Sequence, residues 1–458
     1  MSEHQPLTII GAGLTGSLLA IFLARRGYHV NVYERSMDMR LQEVDAGRSI
    51  NLALAHRGIR ALKKAGVFDK IKPMLVPMAG RQLHAADGTQ QFQAYGSKRH
   101  EVNYSLSRAG LNKALMTEAE ETGQVTFHFR HACLGVNLEA LCINIRDQAN
   151  QEVIDIPAEH VFACDGAGSR IRRDLVAANI LSNRDELLDH AYKELTIPAG
   201  VNGEYQIIRE ALHIWPRGQY MLIALPNDDG SFTLTLFMPK HGENSFSELR
   251  DDDSILKFFR QQFPDTLDLI PDLLKDFKNN PQGVLGTVYC NPLHWQNKVL
   301  LAGDSSHAIV PFHGQGMNSG FEDCILIDEL IETFNQDWGA VFSQFSIRRK
   351  QNADAIAQMA LENYITMRDS VRHPKFHLRK AIEWELESNF PDYFIPRYSM
   401  VMFHHIPYAE ALRRGDTQNK ILDVLCEELN DVSELDLGTA EKLVKNSLSE
   451  IDKAYLSS

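Results

Sequence analysis

The sequence predicts an α/β fold with an inserted β-sheet domain and a helical C-terminal region, and three observations predict it. The chain opens on a strand, a glycine turn, a helix and a second strand. Its middle holds two β-rich runs around a hairpin signal. Beyond about Val341 the apolar spacing is mostly helical to the end.

At 458 residues the chain has room for two or three domains. Hydrophobic residues make up 44% and charged residues 23%, which excludes disorder, collagen and coiled coil. The 47 Lys and Arg against 60 Asp and Glu leave a formal net charge of −13. No nucleic-acid partner is expected, because counterion release needs a basic surface. Cys133, Cys142, Cys164, Cys290, Cys324 and Cys426 fall at no regular spacing and form no CxxC pair. Reduced, buried thiols are expected rather than disulfides or a zinc site. His56, His307, His404 and His405 also lack metal-ligand spacing, so no metal is expected. Met1 to Leu7 is short and polar and does not read as a signal peptide. No stretch reaches the roughly 18 apolar residues of a transmembrane anchor, so a cytoplasmic location is the expectation.

In the first block, Leu7 to Ile10 is a β-rich run and Gly11 to Gly16 a turn. Leu18, Leu19, Ile21, Phe22 and Leu23 supply the apolar side of a helix that stops at Gly27, and Tyr28 to Tyr33 alternates as a strand ending in Glu34. Gly11-x-Gly13-x-x-Gly16 therefore lies between strand and helix, with an acid 23 residues on (34 − 11 = 23). The first glycine makes the tight turn, the second lets backbone approach a pyrophosphate, and the third lets helix pack on strand. The helix N-terminus stabilises phosphate charge and the carboxylate binds a ribose hydroxyl. A bare GxGxxG often arises by chance. With strand, helix and acid in place it reads as a Rossmann-like dinucleotide site, without separating FAD from NAD.

A helix is expected from about Arg108 to Glu121, with Ser107 as N-cap, Leu111, Leu115 and Ala119 on one face, and Gly123 as the stop. Gln219 to Leu225 and Phe232 to Met238 flank Asn227-Asp228-Asp229-Gly230, a hairpin signal. Alternation puts Met221, Ile223 and Leu225 on one strand face and Thr233, Thr235 and Phe237 on one face of the partner. The opposite faces (Tyr220, Leu222, Phe232, Leu234, Leu236) are apolar too, so the sheet is covered on both sides by helices, a ligand or one of each. From Asn297 a buried strand, Val299 to Ala302, leads through a glycine-rich turn to a helix around Asn318 to Phe334. The domain reading is 1–180 with part of a substrate pocket around 75–105, then 181–290 as the inserted sheet, 291–340 returning to the first domain, and 341–458 helical.

Two further motifs repeat the strand-end theme. Val161-Phe162-Ala163-Cys164-Asp165-Gly166 runs a strand into an Asp-Gly turn. Val299-Leu300-Leu301-Ala302-Gly303-Asp304 ends another in Gly-Asp, followed by Pro311 and Gly314-Gln315-Gly316-Met317-Asn318. Asp and Gly favour turns anyway, but three such features in this order are hard to produce by turn chemistry. Here the sequence resembles the single-component FAD-dependent aromatic hydroxylases of the para-hydroxybenzoate hydroxylase class. These carry the same three motifs and lack a second Rossmann domain for NADPH, and this chain shows no second GxGxxG followed by an acid. Gly47-Arg48-Ser49-Ile50-Asn51-Leu52-Ala53-Leu54-Ala55-His56-Arg57-Gly58 narrows the resemblance to the kynurenine 3-monooxygenase family. Arg81, Tyr95, Tyr104 to Arg108, Pro311 to Asn318 and Leu361-Glu362-Asn363-Tyr364 follow at that family's spacing. The likeness runs from about Leu7 to about Tyr398.

What the resemblance implies is specific. The fold would be an FAD-binding domain of the glutathione-reductase type, with an inserted β-sheet substrate domain and a C-terminal helical region. Flavin would be held by Gly11, Gly13, Gly16, Glu34, Arg35, Ala53, Arg108, Asp165, Asp304, Met317 and Asn318. Arg81 and Tyr95 would bind the carboxylate of L-kynurenine, with Asn363 and Tyr398 at the amino-acid end. A guanidinium and phenol hydroxyls suit that group. Met221, Ile223, Leu225, Thr235 and Phe237 would surround the ring, Phe312 would also contact substrate, and His313, in the loop beside the expected flavin ring, would position substrate or peroxide. The reaction would be NADPH- and O2-dependent hydroxylation to 3-hydroxy-L-kynurenine by way of a flavin hydroperoxide, with the cofactor carrying the hard chemistry and no residue assigned as catalytic. The family's eukaryotic members end in a membrane anchor, whereas this chain ends in Asp452-Lys453-Ala454-Tyr455-Leu456-Ser457-Ser458. The apolar stretch Tyr398 to Leu412 is interrupted by His404, His405 and Pro407 and reads as a packed helical cap, ahead of an interfacial membrane contact. A homodimer is left open. Two alternatives stand beside this reading: a flavin hydroxylase of another aromatic acid, and a non-catalytic flavin-fold binding protein akin to the GDP dissociation inhibitors. The intact glycines, Glu34 and Asp304 argue against the second.

Overall fold

The computed structural model describes residues 6–41, 51–369, 374–427 and 429–456. The chain divides into two compact units. Met1–Leu75, Ser107–Leu187 and Gly286–Ala357 form the first, and Val76–Leu106, Leu188–Leu285 and Gln358–Ser458 the second.

In the first unit a six-stranded sheet runs in the order His294–Trp295, Val299–Leu301, Val161–Ala163, Leu7–Ile10, Val30–Glu34, Val125–Phe129. Its strands are parallel except for the short antiparallel edge His294–Trp295. Leu7–Ile10 and Val161–Ala163 are buried at every position, as a parallel sheet covered on both faces requires. The helix after the first strand, Leu14–Arg25, is buried on nearly all sides rather than on one stripe. It ends before Gly27, whose φ of 85° only glycine adopts without strain. Helix Arg108–Glu121 has the expected bounds. Its Ser107 Oγ accepts the Gly110 N–H at 3.2 Å, and Leu111, Leu115 and Ala119 are buried. Of the six cysteines, none is disulfide-bonded and five are buried; Cys133 is half-buried, because it lies on the strand His131–Asn137 of a small, partly exposed antiparallel sheet.

The second unit is built on a seven-stranded sheet. Its order is Gly283–Asn291, Ser182–Ile197, Phe232–Pro239, Met221–Pro226, Ala211–Pro216, Gly80–His84, Gln90–Ala94. One face carries Trp215, Leu222, Ala224, Phe232, Leu234 and Leu236 against helix residues Ile255, Phe258, Phe259, Leu273 and Phe277. Besides shifts of five to seven residues at the edges of the inserted sheet, the units differ from the sequence-based borders in two places. Residues 76–106 belong with the inserted sheet, because Gly80–His84 pairs in parallel with Ala211–Pro216. The helical region divides at Ala357, inside the long helix Trp338–Arg368.

Helices Arg397–Met402 and Tyr408–Leu425 bury Met400, Val401, Met402 and Tyr408, so the apolar stretch there is core of the second unit. Among the described residues no helix is long and apolar enough to cross a membrane, and no cluster of side chains could hold a metal ion.

Candidate functional site

In the first unit, a candidate site lies at the carboxyl edge of the parallel sheet, where open α/β sheets bind ligands. Each glycine of the turn has its own reason to be there. Gly11 has a φ of 100°, and a Cβ on it would sit 2.5 Å from the Cys164 carbonyl oxygen. A Cβ on Gly16 would overlap the Gly11 carbonyl oxygen, so only glycine lets this helix pack on the strand end. A Cβ on Gly13 would meet nothing within 4 Å. The protein itself therefore does not require Gly13; a backbone-hugging phosphate does. Glu34, at the end of the next strand, accepts the Ala12 N–H at 2.9 Å and the Ser36 N–H at 2.8 Å. The carboxylate is thus fixed to the turn with acceptor capacity left over.

Asp165 follows the strand Val161–Ala163 and accepts the Arg170 N–H at 2.7 Å through Oδ2, while its buried Oδ1 has no partner among the described residues. Burial pushes its carboxyl up, against the pull of Ser169 and the Arg170 amide. An orphaned acceptor at this strand end suits a ligand hydroxyl. Asp304 stands exposed at the next strand end, after Gly303 with its φ of 62°. Arg35 and Arg108 are exposed and form no ion pair among the described residues. Asn318 is differently used. Its amide donates to the Ala53 and Gly314 carbonyls, both at 2.8 Å, and accepts the Ala55 N–H at 3.0 Å. What it leaves for a ligand is the first turn of helix Gly316–Thr333, where Gly316, the buried Met317 and Asn318 have N–H groups without helical acceptors. Of the Gly47–Gly58 run, residues 47–50 lie outside the described residues. Asn51–Leu54 is a strand and His56–Lys64 a helix. Phe312 and His313 are buried in the turn Pro311–His313. Orphaned acceptor, open glycine and free amides together fit FAD.

Buried ions that sequence reasoning missed hold these loops. Asp323 Oδ2 accepts the Gly303 N–H at 2.7 Å and lies 2.7 Å from His307 Nε2, while Oδ1 is 2.5 Å from Arg349 Nε. Glu322 pairs with Arg57 at 2.6 Å and Arg349 at 3.3 Å. Burial alone pushes both carboxyls up, but the neighbouring cationic and imidazole groups hold them below their usual range. Arg172 ties the two motif loops together, donating to Ser305 O at 2.6 Å and Ala167 O at 2.5 Å. Asn112 donates to the Ala12 carbonyl at 3.0 Å. Acidic residues inside an apolar helical stripe, Phe321-Glu322-Asp323-Cys324, are the signal that could have found part of this network.

A separate candidate site lies in the second unit. Register places Met221 opposite Phe237, Ile223 opposite Thr235 and Leu225 opposite Thr233, all on the sheet face opposite the helix-packed one. Ile214 pairs with Ile223 and with Leu83, and Leu212 pairs with Arg81, so Arg81 shares that face. The structure thus brings the apolar wall and the cation onto one surface. Arg81 is buried, its Nε has no hydrogen-bond partner, and no carboxylate pairs with it among the described residues. Its guanidinium lies 5.6 Å over the Tyr95 ring and 5.1 Å over the Tyr398 ring, and those rings stack at 5.5 Å. Burial drives both phenols above their usual range, with Arg81 opposing it, so both keep their protons at neutral pH. Asn103, absent from the sequence-based set, donates to Tyr398 Oη at 3.1 Å. Asn363 is half-buried on helix Trp338–Arg368, its amide 3.4 Å from Met367 Sδ. A buried cation over two neutral phenols, beside an apolar wall, is chemically suited to a carboxylate attached to a flat ring.

Residues 4–360 match the family described as FAD binding domain. The chain is 44% identical over 457 residues to kynurenine 3-monooxygenase of Myxococcus xanthus, covering 99% of this chain and 98% of that protein. It is 44% identical over 452 residues to the enzyme of that name from Stenotrophomonas maltophilia, covering 98% and 99%. Among solved structures, tetrameric 2-methyl-3-hydroxypyridine-5-carboxylic acid oxygenase aligns with a TM-score of 0.66 at 17% identity, covering 81% of this chain and 95% of that one. PqsL of Pseudomonas aeruginosa, in complex with 2-aminobenzoylacetate, aligns with a TM-score of 0.64 at 18% identity, covering 80% and 97%. At such identities the likeness to solved structures shows the fold.

Proposed function

The chain belongs to the kynurenine 3-monooxygenase family, and from that premise we propose that it hydroxylates L-kynurenine to 3-hydroxy-L-kynurenine. The observation that carries this reading is the buried Arg81, without a carboxylate partner among the described residues, on the same sheet face as Met221, Ile223, Leu225, Thr235 and Phe237. Arg81 binds the substrate carboxylate through its fork of N–H donors, and Tyr95 and Tyr398 add hydroxyl donors. The apolar wall takes the aniline-type ring, and Asn363 serves the amino-acid end. Phe312 and His313 are assigned to substrate by the family likeness alone.

Gly11, Gly13, Gly16, Glu34, Arg35, Ala53, Arg108, Asp165, Asp304, Met317 and Asn318 are the residues that would hold FAD. When bound and reduced by NADPH, FAD activates O2 for attack on the electron-rich ring carbon beside the amino group. One oxygen atom enters the ring, the other leaves as water, and NADPH supplies the electron pair. The protein's contribution is to fix the ring by its carboxylate end and to hold the nucleotide by backbone amides.

The test is NADPH oxidation by the FAD-loaded protein with and without L-kynurenine, with the product mass determined. Kynurenine-stimulated oxidation with a product one oxygen heavier is expected. Stimulation without hydroxylated product would assign another aromatic acid as the true substrate, and no stimulation would overturn the reading.

A further inference from the structure

We propose that Asn112 is a positioning residue for FAD: it holds the Ala12 carbonyl towards the helix Arg108–Glu121 and thereby turns the Gly13 N–H the opposite way, to the pyrophosphate. The inference rests on the glycine turn being the FAD site and deepens that reading. Asn112 Nδ2 donates to the Ala12 carbonyl at 3.0 Å, and its remaining N–H points to Met39 Sδ at 3.3 Å. The Ala12–Gly13 peptide is trans. In a planar trans peptide the carbonyl and the N–H point opposite ways, so fixing the one aims the other. The Gly13 N–H has no acceptor among the described residues. An amide donor aimed out of the turn and left open suits a phosphate oxygen.

This peptide needs holding because a glycine follows it. Gly13 has a φ of −72°, and turning the peptide over would carry it to positive φ, which glycine adopts without strain. The turned peptide would set the Ala12 carbonyl, rather than an N–H, against the phosphate. Side chains grip Ala12 at both ends. Glu34 accepts its N–H at 2.9 Å, and Ser17 Oγ shares its carbonyl oxygen with Asn112, at 3.2 Å. Asn112 is 9% exposed, and its buried Oδ1 has no partner among the described residues. An unmet buried acceptor costs stability that an apolar side chain of similar size would not, so helix packing does not explain an asparagine here. Nor can the amide be reversed, because that would set Oδ1 against the Ala12 carbonyl oxygen. Asn112 also stands one helical turn beyond Arg108 (112 − 108 = 4), itself assigned to FAD.

Asn112→Leu should raise the Kd for FAD about tenfold, read by fluorescence titration of the FAD-free full-length chain, the loss of one hydrogen bond. The melting temperature of that FAD-free chain should hold, because the unmet oxygen goes as well. Ser17→Ala placed on Asn112→Leu should weaken FAD by more than the two single effects combined, since either donor covers for the other on one oxygen. Should the leucine variant not fold, Asn112→Ala carries the same test. An unchanged Kd in a folded variant would overturn the inference. So would a Kd that weakens only together with a lower FAD-free melting temperature, or additive effects of the two substitutions. Gly13→Ala separates the two levels. If it weakens FAD binding while the Asn112 variants do not, only the role of Asn112 falls; if it too leaves FAD binding unchanged, the glycine turn is not the FAD site.

Discussion

At the scale of single residues, the glycine turn and Arg81 each make a divided prediction. Gly13→Ala should leave the melting temperature of the FAD-free protein unchanged, because the new Cβ meets nothing in the protein, yet weaken FAD binding measured by fluorescence titration. Gly16→Ala should do the reverse first, lowering stability by roughly 1–3 kcal/mol because its Cβ overlaps the Gly11 carbonyl. A Gly13 variant that melts early but binds FAD normally would contradict the assignment. Arg81→Ala should raise KM for L-kynurenine about 10- to 100-fold, since a hydrogen bond to a charged group contributes roughly 1.5–3 kcal/mol. Arg81→Lys should fall between, keeping the charge but losing the fork. The three glycines were legible from their spacing. Arg81 and Tyr95 were legible only through family likeness, because nothing local distinguishes a clamp arginine from a surface one. Asn103 was legible in neither way: its partner lies 295 residues on in the chain, and spacing carries no trace of such a contact.

At the scale of elements, alternation alone separated the two faces of each hairpin strand but left open what covers them; the register joins Met221, Ile223, Leu225, Thr235 and Phe237 on one face, and helices pack on the other. What alternation could not supply was the neighbour on the far side, where the strand Ala211–Pro216 joins the hairpin to the strand bearing Arg81. That strand carries a buried histidine with a consequence for pH. His213 gives its Nε2–H to the Ile208 carbonyl at 2.7 Å, and its Nδ1 lies 2.9 Å from His84 Nε2. A carbonyl can only accept, so the neutral ring receives the His84 proton at Nδ1. Burial, with His84 adding to it, depresses His213 from 6.5 to about 4. Between those two values the unfolded chain binds a proton that the folded one does not, so stability rises with pH across that window. Acidification from pH 7 towards 4 should therefore cost about 3 kcal/mol through this one group. His213→Gln, which keeps a polar amide in the strand, should flatten that part of the melting-temperature profile. An unchanged slope would show that other groups carry the acid sensitivity.

At the scale of the whole molecule, the residues that fit FAD all belong to one compact unit and those of the proposed carboxylate clamp to the other. The sequence read the N-terminal nucleotide signature and the inserted sheet. It kept residues 75–105 within the first domain as part of a substrate pocket, because membership of a sheet is decided by a strand pairing far along the chain. The division has a thermodynamic signature. A ligand that binds only the folded state stabilises it by RT ln(1 + [L]/Kd), about 2.7 kcal/mol at a hundredfold excess over Kd. FAD titrated into the FAD-free protein should raise the melting temperature with the logarithm of its concentration. Gly13→Ala should shift that rise to higher FAD concentrations, and Arg81→Ala should leave it intact. L-kynurenine added to the FAD-loaded protein should give its own increment, lost in Arg81→Ala. Two units also allow two transitions, so each increment should be followed by calorimetry rather than by one optical probe. Were Arg81→Ala to erase the FAD increment, Arg81 would be serving the nucleotide rather than the carboxylate. A kynurenine increment surviving in Arg81→Ala would place the amino-acid end of the substrate on other donors.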